Sequence, residues 1–248
     1  GLSLSTGNRF MIVDCGGGTV DITVHEVESS SKGQMVLKEV IEGAGGAYGS
    51  TYVDKYFFET FLTKKISTEI IENIRTQKPS EYLEMVNKWE QIKTSFDCTK
   101  NANTQYLRFT TGAHRLVTNE ILAKLAAQQQ GDDESIHISA KEMEEIFQST
   151  LDGLVKTVKD EFDKLGNLAC DYIYLVGGFS TSSLLQRRIT QEFQSKVKKI
   201  IIPPTPGAAV VEGAVSFGLN PAAHRSRVSR LTYGCDVSSP FQKGLDKD

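Results

Sequence analysis

The 248-residue sequence is poor in the features that mark several common protein classes. Its four cysteines, Cys15, Cys98, Cys170 and Cys235, are scattered, with no CxxC pair. This excludes a zinc ribbon or a disulfide framework and predicts free thiols in a reducing compartment. No apolar run approaches the ~20 residues of a membrane span. The opening GLSLSTGNRF lacks the basic and apolar regions of a signal peptide. A net charge of −3 gives no basic field for nucleic acid. These absences describe a soluble, cytoplasmic chain with neither a membrane nor a nucleic-acid partner, while the apolar strands 171–176 and 199–202, each followed by a helix, argue for an α/β layer sheet. No Walker A motif, no GxGxxG before a helix and no GxSxG elbow occurs. His25, His114, His137 and His224 have no Cys, His or acidic partner at metal-ligand spacing. Asp132, Asp133 and Glu134 read as a solvated loop.

What is present is glycine at strand ends. Residues 9–14 and 19–28 have strand character and flank DCGGGTVD, with Asp14 and Asp21 bracketing Gly16, Gly17, Gly18 and Thr19. A third strand runs from Met35 over MVLKEVIE, making an antiparallel meander, since the links are too short for parallel crossovers. Glycines at 16–18 give access to positive φ and to close backbone approach, and successive amides in such a turn form an anion site. Thr19 adds a hydroxyl donor. Two carboxylates beside an anion site make sense when a divalent cation lies between them and a phosphate, and a carboxylate can orient an attacking water. The rival reading is a tight hairpin that merely needs glycine, yet three glycines exceed what a two-residue turn requires.

Two further clusters follow. GAGGAYGS (43–50) reads as a loop before a helix, with Gly45 and Gly46 presenting amides and Ser50 capping the helix. VGGF places Gly177 and Gly178 after the buried strand 171–176, where α/β sheets bind ligands. Alone, the first reads more often as structural, and the second reads equally well as a helix-entry turn. Between them, Val53, Tyr56, Phe57 and Phe61 share a helix face. Pro79 opens a helix with Leu83, Val86, Trp89, Ile92 and Phe96 at 3–4 spacing. Residues 104–110 form a strand, 118–129 a helix and SIHIS a strand. Ser139 with Glu142 predicts a capping box on a helix to about Leu165. A helix over 183–195, a strand at KKIIIP, a helix from Pro206 to Phe217 and a strand-like LTYGCDV complete the chain.

DCGGGTVD, GGAYGSTYVD, WEQIK, YLVGGFSTSSLLQ and TPGAAVVEGA occur in an order that resembles the actin/sugar-kinase/70-kDa heat-shock ATPase superfamily. They are most similar to its 70-kDa heat-shock members, and GAGGAYGSTYVD and LTYGCDV resemble the divergent 12A/12B branch. The likeness covers residues 8 to 237. It implies lobe II of an actin-like (ribonuclease H-like) ATPase domain: a central mixed sheet flanked by helices, carrying an inserted α+β subdomain. The core would be 8–42 and 166–220, the insertion 43–165, and 221–248 a linker. It further implies ATP or ADP with Mg2+, a missing first lobe as partner, and protein clients or co-factors.

By the same resemblance, Asp14 and Asp21 lie near metal and water, Gly16, Gly17, Gly18 and Thr19 contact phosphate, and Gly45 and Gly46 lie beside phosphates and ribose. Glu90 and Lys93 hold the ribose, where a solvated i,i+3 ion pair is the plain alternative, and Gly177 and Gly178 form the adenosine loop. The sequence departs from the family in three places. No Arg precedes Arg187 after the adenosine glycines, PTPGAA lacks the family's Asp, and Asp97 replaces a Ser. The first phosphate motif and the catalytic lysine of the first lobe are absent. The sequence therefore predicts an ATP-binding lobe with weak or no turnover alone. A degenerate scaffold of the same fold is the main alternative, and a small-molecule kinase a third.

Overall fold

The computed structural model describes residues 4–31, 34–100, 103–219, 224–229 and 231–235. Strands β1 (Arg9–Cys15), β2 (Val20–Ser31) and β3 (Gln34–Gly46) form the expected antiparallel meander. Next come α1 (Ser50–Tyr56), a π turn (Phe57–Phe61), α2 (Leu62–Ile66), α3 (Thr68–Gln77) and α4 (Pro79–Ser95). β4 (Gln105–Arg108), α5 (Thr111–His114), α6 (Asn119–Gln128), β5 (Ser135–Ile138) and α7 (Ala140–Leu165) follow. The chain returns through β6 (Tyr172–Val176), a 3-10 turn (Gly178–Thr181), α8 (Ser183–Phe193), β7 (Lys199–Ile201), a second 3-10 turn (Pro206–Ala208), α9 (Ala209–Leu219) and β8 (His224–Ser226).

The main sheet has the order β7-β6-β1-β2-β3-β8, and β4 pairs with β5 in a separate ribbon. β7, β6 and β1 run parallel, while β2 is antiparallel to both its neighbours, so the sheet is mixed. Period-two alternation assigns its faces. Met11, Val13 and Cys15 pair with Val24, Ile22 and Val20, and all six are fully buried. Ile173 and Leu175 continue that face through β6. Phe10, Ile12, Asp14, Asp21, Thr23 and His25 lie on the other side. One strand thus feeds the core with one set of side chains and carries Asp14 on the opposite set.

The long helix α7 packs against β3 and β2 with Ile146, Leu151, Leu154 and Val158 buried. Its start follows the sequence pattern: Ser139 Oγ accepts from Glu142 N at 3.3 Å, and the Glu142 carboxylate accepts from Ser139 N at 2.8 Å. Ser139→Ala removes the hydroxyl half of this box, leaving the backbone N–H to Glu142, and is expected to cost about 1 kcal/mol, a fall of about 2–4 °C in thermal midpoint for a chain of this size. Differential scanning calorimetry checks it.

Several expectations need correction. Leu83 is 59% exposed, because the buried stripe of α4 runs through Met85 and Trp89 to Lys93. Gly43 to Gly46 are not loop but the end of β3, paired with the start of β2. Ser50 does not cap α1: the N-cap is Gly49, and no side chain caps the helix. Leu231 to Cys235 form no strand, and the rest of LTYGCDV lies outside the described residues, as does most of 221–248. His137 has an acidic partner after all, with Nε2 2.7 Å from Asp132, which Ser135 also contacts at 2.5 Å. These contacts hold the Asp132 carboxyl down at about 2, the Ser135 hydrogen bond contributing most, so the loop is built rather than merely solvated. All four cysteines are unpaired.

Candidate functional site

The sheet register assembles the site. Asp14 pairs directly with Asp21 across β1 and β2, with Val176 across β1 and β6, and Asp21 pairs with Gly45. The row Val176–Asp14–Asp21–Gly45 therefore brings the ends of three glycine clusters to one edge of the sheet. Like charges directly opposite in an antiparallel pair are destabilising. Burial first, and the Asp21 charge second, push the Asp14 carboxyl above its ordinary range. This is a location where a cation would be stabilised.

The glycine loop beside it is turned with its carbonyls inward. Gly16 N donates to Thr19 O at 2.9 Å, which closes the turn. Ser50 N donates to Gly16 O, Thr51 N to Gly17 O and Gly49 N to Gly18 O. The Thr51 hydroxyl adds a second donor to Gly17 O at 2.9 Å. The loop carbonyls thus satisfy the first amides of α1, the role expected of Ser50. The N–H groups of Gly17, Gly18 and Thr19 have no acceptor among the described residues. Successive free amides in a turn form an anion-binding concavity. The Thr19 hydroxyl donates to Asp21 at 3.0 Å.

The reasons for glycine differ from position to position. None of Gly16, Gly17 or Gly18 has positive φ, so backbone freedom does not explain them. A Cβ on Gly17 or Gly18 would meet nothing within 4 Å, and neither would one on Gly178. These three are bare toward open space, as a close-lying ligand requires. The others are bare toward the protein. A Cβ on Gly45 would lie 2.8 Å from Val20 O and 2.9 Å from Asp21 Oδ1. One on Gly46 would lie 2.6 Å from the Tyr48 ring, and one on Gly49 would overlap Gly17 O. Gly177 has φ +84°, and its Cβ would overlap Cys15 O and Asp14 Oδ1.

A cavity of about 280 Å3 joins these parts, lined by Gly17, Ser50, Glu90, Lys93, Phe147 and Gly178 among others. Asp14, Gly16, Gly18, Thr19, Asp21, Gly45, Gly46 and Gly177 are not in its lining. They lie on the adjoining turn and strand edge, through the contacts above. Glu90 and Lys93 do form an i,i+3 ion pair, at 2.5 Å. It is solvated at one end only, the Lys93 side chain being 5% exposed and that of Glu90 53%. Sequence reasoning missed the group behind it: Asp54 accepts from Lys93 Nζ at 2.8 and 3.0 Å and from Trp89 Nε1 at 2.7 Å. No spacing signal marked Asp54, which sits on α1, far from α4 in sequence.

At the other end, the serines of FSTSS are committed to the fold. Ser180 Oγ donates to Val176 O at 2.5 Å, Ser182 caps α8, and Ser183 donates to Phe96 O and accepts from Cys98 N. Gly177 N donates to Pro206 O at 2.8 Å, which ties this loop to the PTPGAA turn. Arg187 is engaged by Glu144 at 2.6 Å and offers no substitute for a stacking arginine in the loop. Asp97 accepts from the backbone and hydroxyl of Thr99, which lower its pKa.

The donor set fits a magnesium–phosphate group. Two facing carboxylates offer hard oxygen, and among the described residues no cluster of three or more His, Cys, Asp or Glu could hold a metal alone. The free amides and bare Cα atoms suit the phosphate. Among the described residues no helix is long and apolar enough to cross a membrane.

No protein-family model matches the chain. It is 32% identical over 254 residues to heat shock 70 kDa protein 12A of Mus musculus, and equally so to that of Homo sapiens. Heat shock 70 kDa protein 12B of Homo sapiens is 28% identical over 249 residues. Each alignment covers 97% of this chain, which spans 36% of the relative's length. The chain is therefore a homologue of the heat shock 70 kDa proteins 12A and 12B and corresponds to about a third of their length.

Proposed function

We propose that this chain forms the phosphate-gripping wall of an actin-like nucleotide-binding domain and binds ATP or ADP with Mg2+ in the full-length protein. The observation that carries it is the row of Asp14 facing Asp21 beside a turn whose Gly17, Gly18 and Thr19 amides are free. Those amides would receive phosphate oxygens, while Asp14 and Asp21 would hold the metal. Magnesium, when bound, neutralises phosphate charge and so allows two carboxylates beside an anion. The Asp14 carboxylate would orient water through Oδ1 or Oδ2. Glu90 and Lys93 present a paired acceptor and donor to the sugar, and Gly178 leaves its backbone open to the base.

The opposite wall belongs to a first lobe in the same full-length protein. Helix α9 supports this: Val210, Val211, Val215, Phe217 and Leu219 are all at least 44% exposed, and no residue of α9 is buried. Catalysis by positioning needs both walls, so this lobe alone would turn over nucleotide poorly. We place the protein in the cytoplasm as a heat-shock-70-like chaperone whose nucleotide state is passed to an attached segment. A non-hydrolysing scaffold is the second reading, supported by the lack of a stacking arginine in the adenosine loop, Arg187 being engaged by Glu144.

Calorimetric titration of full-length protein with ADP tests the reading. Binding is expected with magnesium present and lost on chelation. Absence of binding by folded protein under both conditions would refute it. Steady-state turnover of wild type against Asp14→Asn then separates the two readings, equal background rates favouring the scaffold.

A further inference from the structure

The sugar-side end of the cavity has a support that the ligand would not touch. Asp54 lies on α1, outside the cavity lining, yet both its oxygens accept from Lys93 Nζ, at 2.8 and 3.0 Å. Oδ1 also accepts from Trp89 Nε1 at 2.7 Å. The Trp89 ring is fully buried and stacks on Phe57 at 3.7 Å between centroids and 2° between planes. Lysine carries a long flexible stem and three rotatable donors. Here the stem is buried, two contacts go to Asp54 and one to Glu90, so the ammonium has one place to be. The same helix begins under the glycine loop, where Ser50 N and Thr51 N donate to Gly16 O and Gly17 O. One seven-residue helix therefore carries both the loop's supporting amides and the anchor of the lysine at the far end of the cavity.

Resting on the nucleotide reading above, we propose that Asp54 is a positioning residue. It fixes Lys93 for a nucleoside sugar and, through α1, holds the sugar end and the phosphate loop at a set separation. A buried lysine held by a partly buried carboxylate with added hydrogen bonds keeps a geometry that a solvated pair does not. Lys93 would otherwise be free to swing toward phosphate, where it would bind any polyphosphate without regard to the sugar. Asp54 thus favours nucleotides over bare phosphate chains.

The test uses full-length protein and two probes that share a diphosphate, Mg-ADP and Mg-pyrophosphate, titrated against wild type, Asp54→Asn and Trp89→Phe. Asp54→Asn keeps the shape and removes the charge; it is expected to weaken Mg-ADP about tenfold, the scale of one charge-assisted hydrogen bond, and to leave Mg-pyrophosphate within about twofold or tighter. Trp89→Phe keeps the stack on Phe57 and removes one donor to Asp54, and a smaller change of the same sign, about threefold, is expected. Thermal melts of the Asp54 variant report whether it folds. If Asp54→Asn does not fold, Trp89→Phe decides by the same pair of titrations. Equal affinities in folded variant and wild type overturn the proposal, and so does an equal loss for both probes, which marks a structural role. Wild type that binds Mg-pyrophosphate but not Mg-ADP contradicts it too. Wild type that binds neither removes the nucleotide reading itself, and the role of Asp54 with it.

Discussion

Gly177→Ala is expected to lower the thermal midpoint of the full-length protein's nucleotide-binding unit by about 10 °C, whereas Gly18→Ala leaves it within about 2 °C and acts on ligand affinity instead. The two substitutions add the same methyl group, and their surroundings separate them. Gly177 has φ +84°, and the new Cβ would overlap the Cys15 carbonyl and the Asp14 carboxylate. A left-handed backbone costs an alanine about 1–2 kcal/mol, and displacing backbone in a packed core adds about 1–3 kcal/mol. Together these give about 3 kcal/mol, or about 10 °C at the slope for a chain of this length. At Gly18 φ is not positive, and the methyl would meet nothing within 4 Å. Folding is then nearly indifferent, or slightly favoured through the unfolded chain.

The methyl at Gly18 does occupy the space from which a phosphate would approach the Gly17, Gly18 and Thr19 amides. Loss of one hydrogen bond to a charged group, about 1.5–3 kcal/mol, corresponds to about a 10- to 100-fold weaker Mg-ADP. Thermal melts and titrations on the two variants measure both quantities. A Gly18→Ala protein with unchanged affinity would mean that the turn is bare for some reason other than a ligand.

Asp14→Asn is expected to move stability and binding in opposite directions. Without magnesium, the variant should melt about 1–3 °C higher than wild type, because the facing Asp14–Asp21 pair costs about 0.2–1 kcal/mol. With magnesium, it should bind ADP on the order of 100-fold more weakly, equal to about 2.7 kcal/mol. The stability gain has a pH signature. The folded-state pKa of Asp14 is raised above its ordinary 3.8, through burial first and Asp21 second. A raised acid pKa means that the folded state holds the proton more tightly than the unfolded one. The wild-type penalty is thus absent below about pH 3.8, grows as pH rises through that value toward the folded-state pKa, and persists at neutrality. Melting the two proteins from pH 3 to 8 in chelator should show curves that diverge with rising pH. Parallel curves would remove the electrostatic explanation of this pair.

Much of this was legible in the sequence because it was written locally. Val20, Ile22 and Val24 alternate, and the strand follows. Pro79 stands at the first turn of α4, and Ser139 with Glu142 forms the box that opens α7. The pairing of Asp14 with Asp21 was implied once a short turn joined two antiparallel strands. What was not legible depends on contacts between distant segments. Gly43 to Gly46 have turn composition, yet they are drawn into β3 because β2 offers them a partner strand. Ser50 has the chemistry of a cap, but carbonyls from a loop more than thirty residues earlier take that place. Leu83 fits an apolar stripe that packing shifts toward Met85 and Trp89. Asp54 carried no local signal at all, since its importance lies in meeting Lys93 and Trp89 across two helices.

A structure of the full-length protein crystallised with Mg-ADP bears on the whole reading at once. Phosphate oxygens are expected within hydrogen-bond distance of the Gly17 and Gly18 amides, with the cation on the Asp14–Asp21 side and the sugar against Glu90 and Lys93. Nucleotide bound elsewhere, with the 16–19 turn facing only solvent and no cation beside the paired carboxylates, would contradict it.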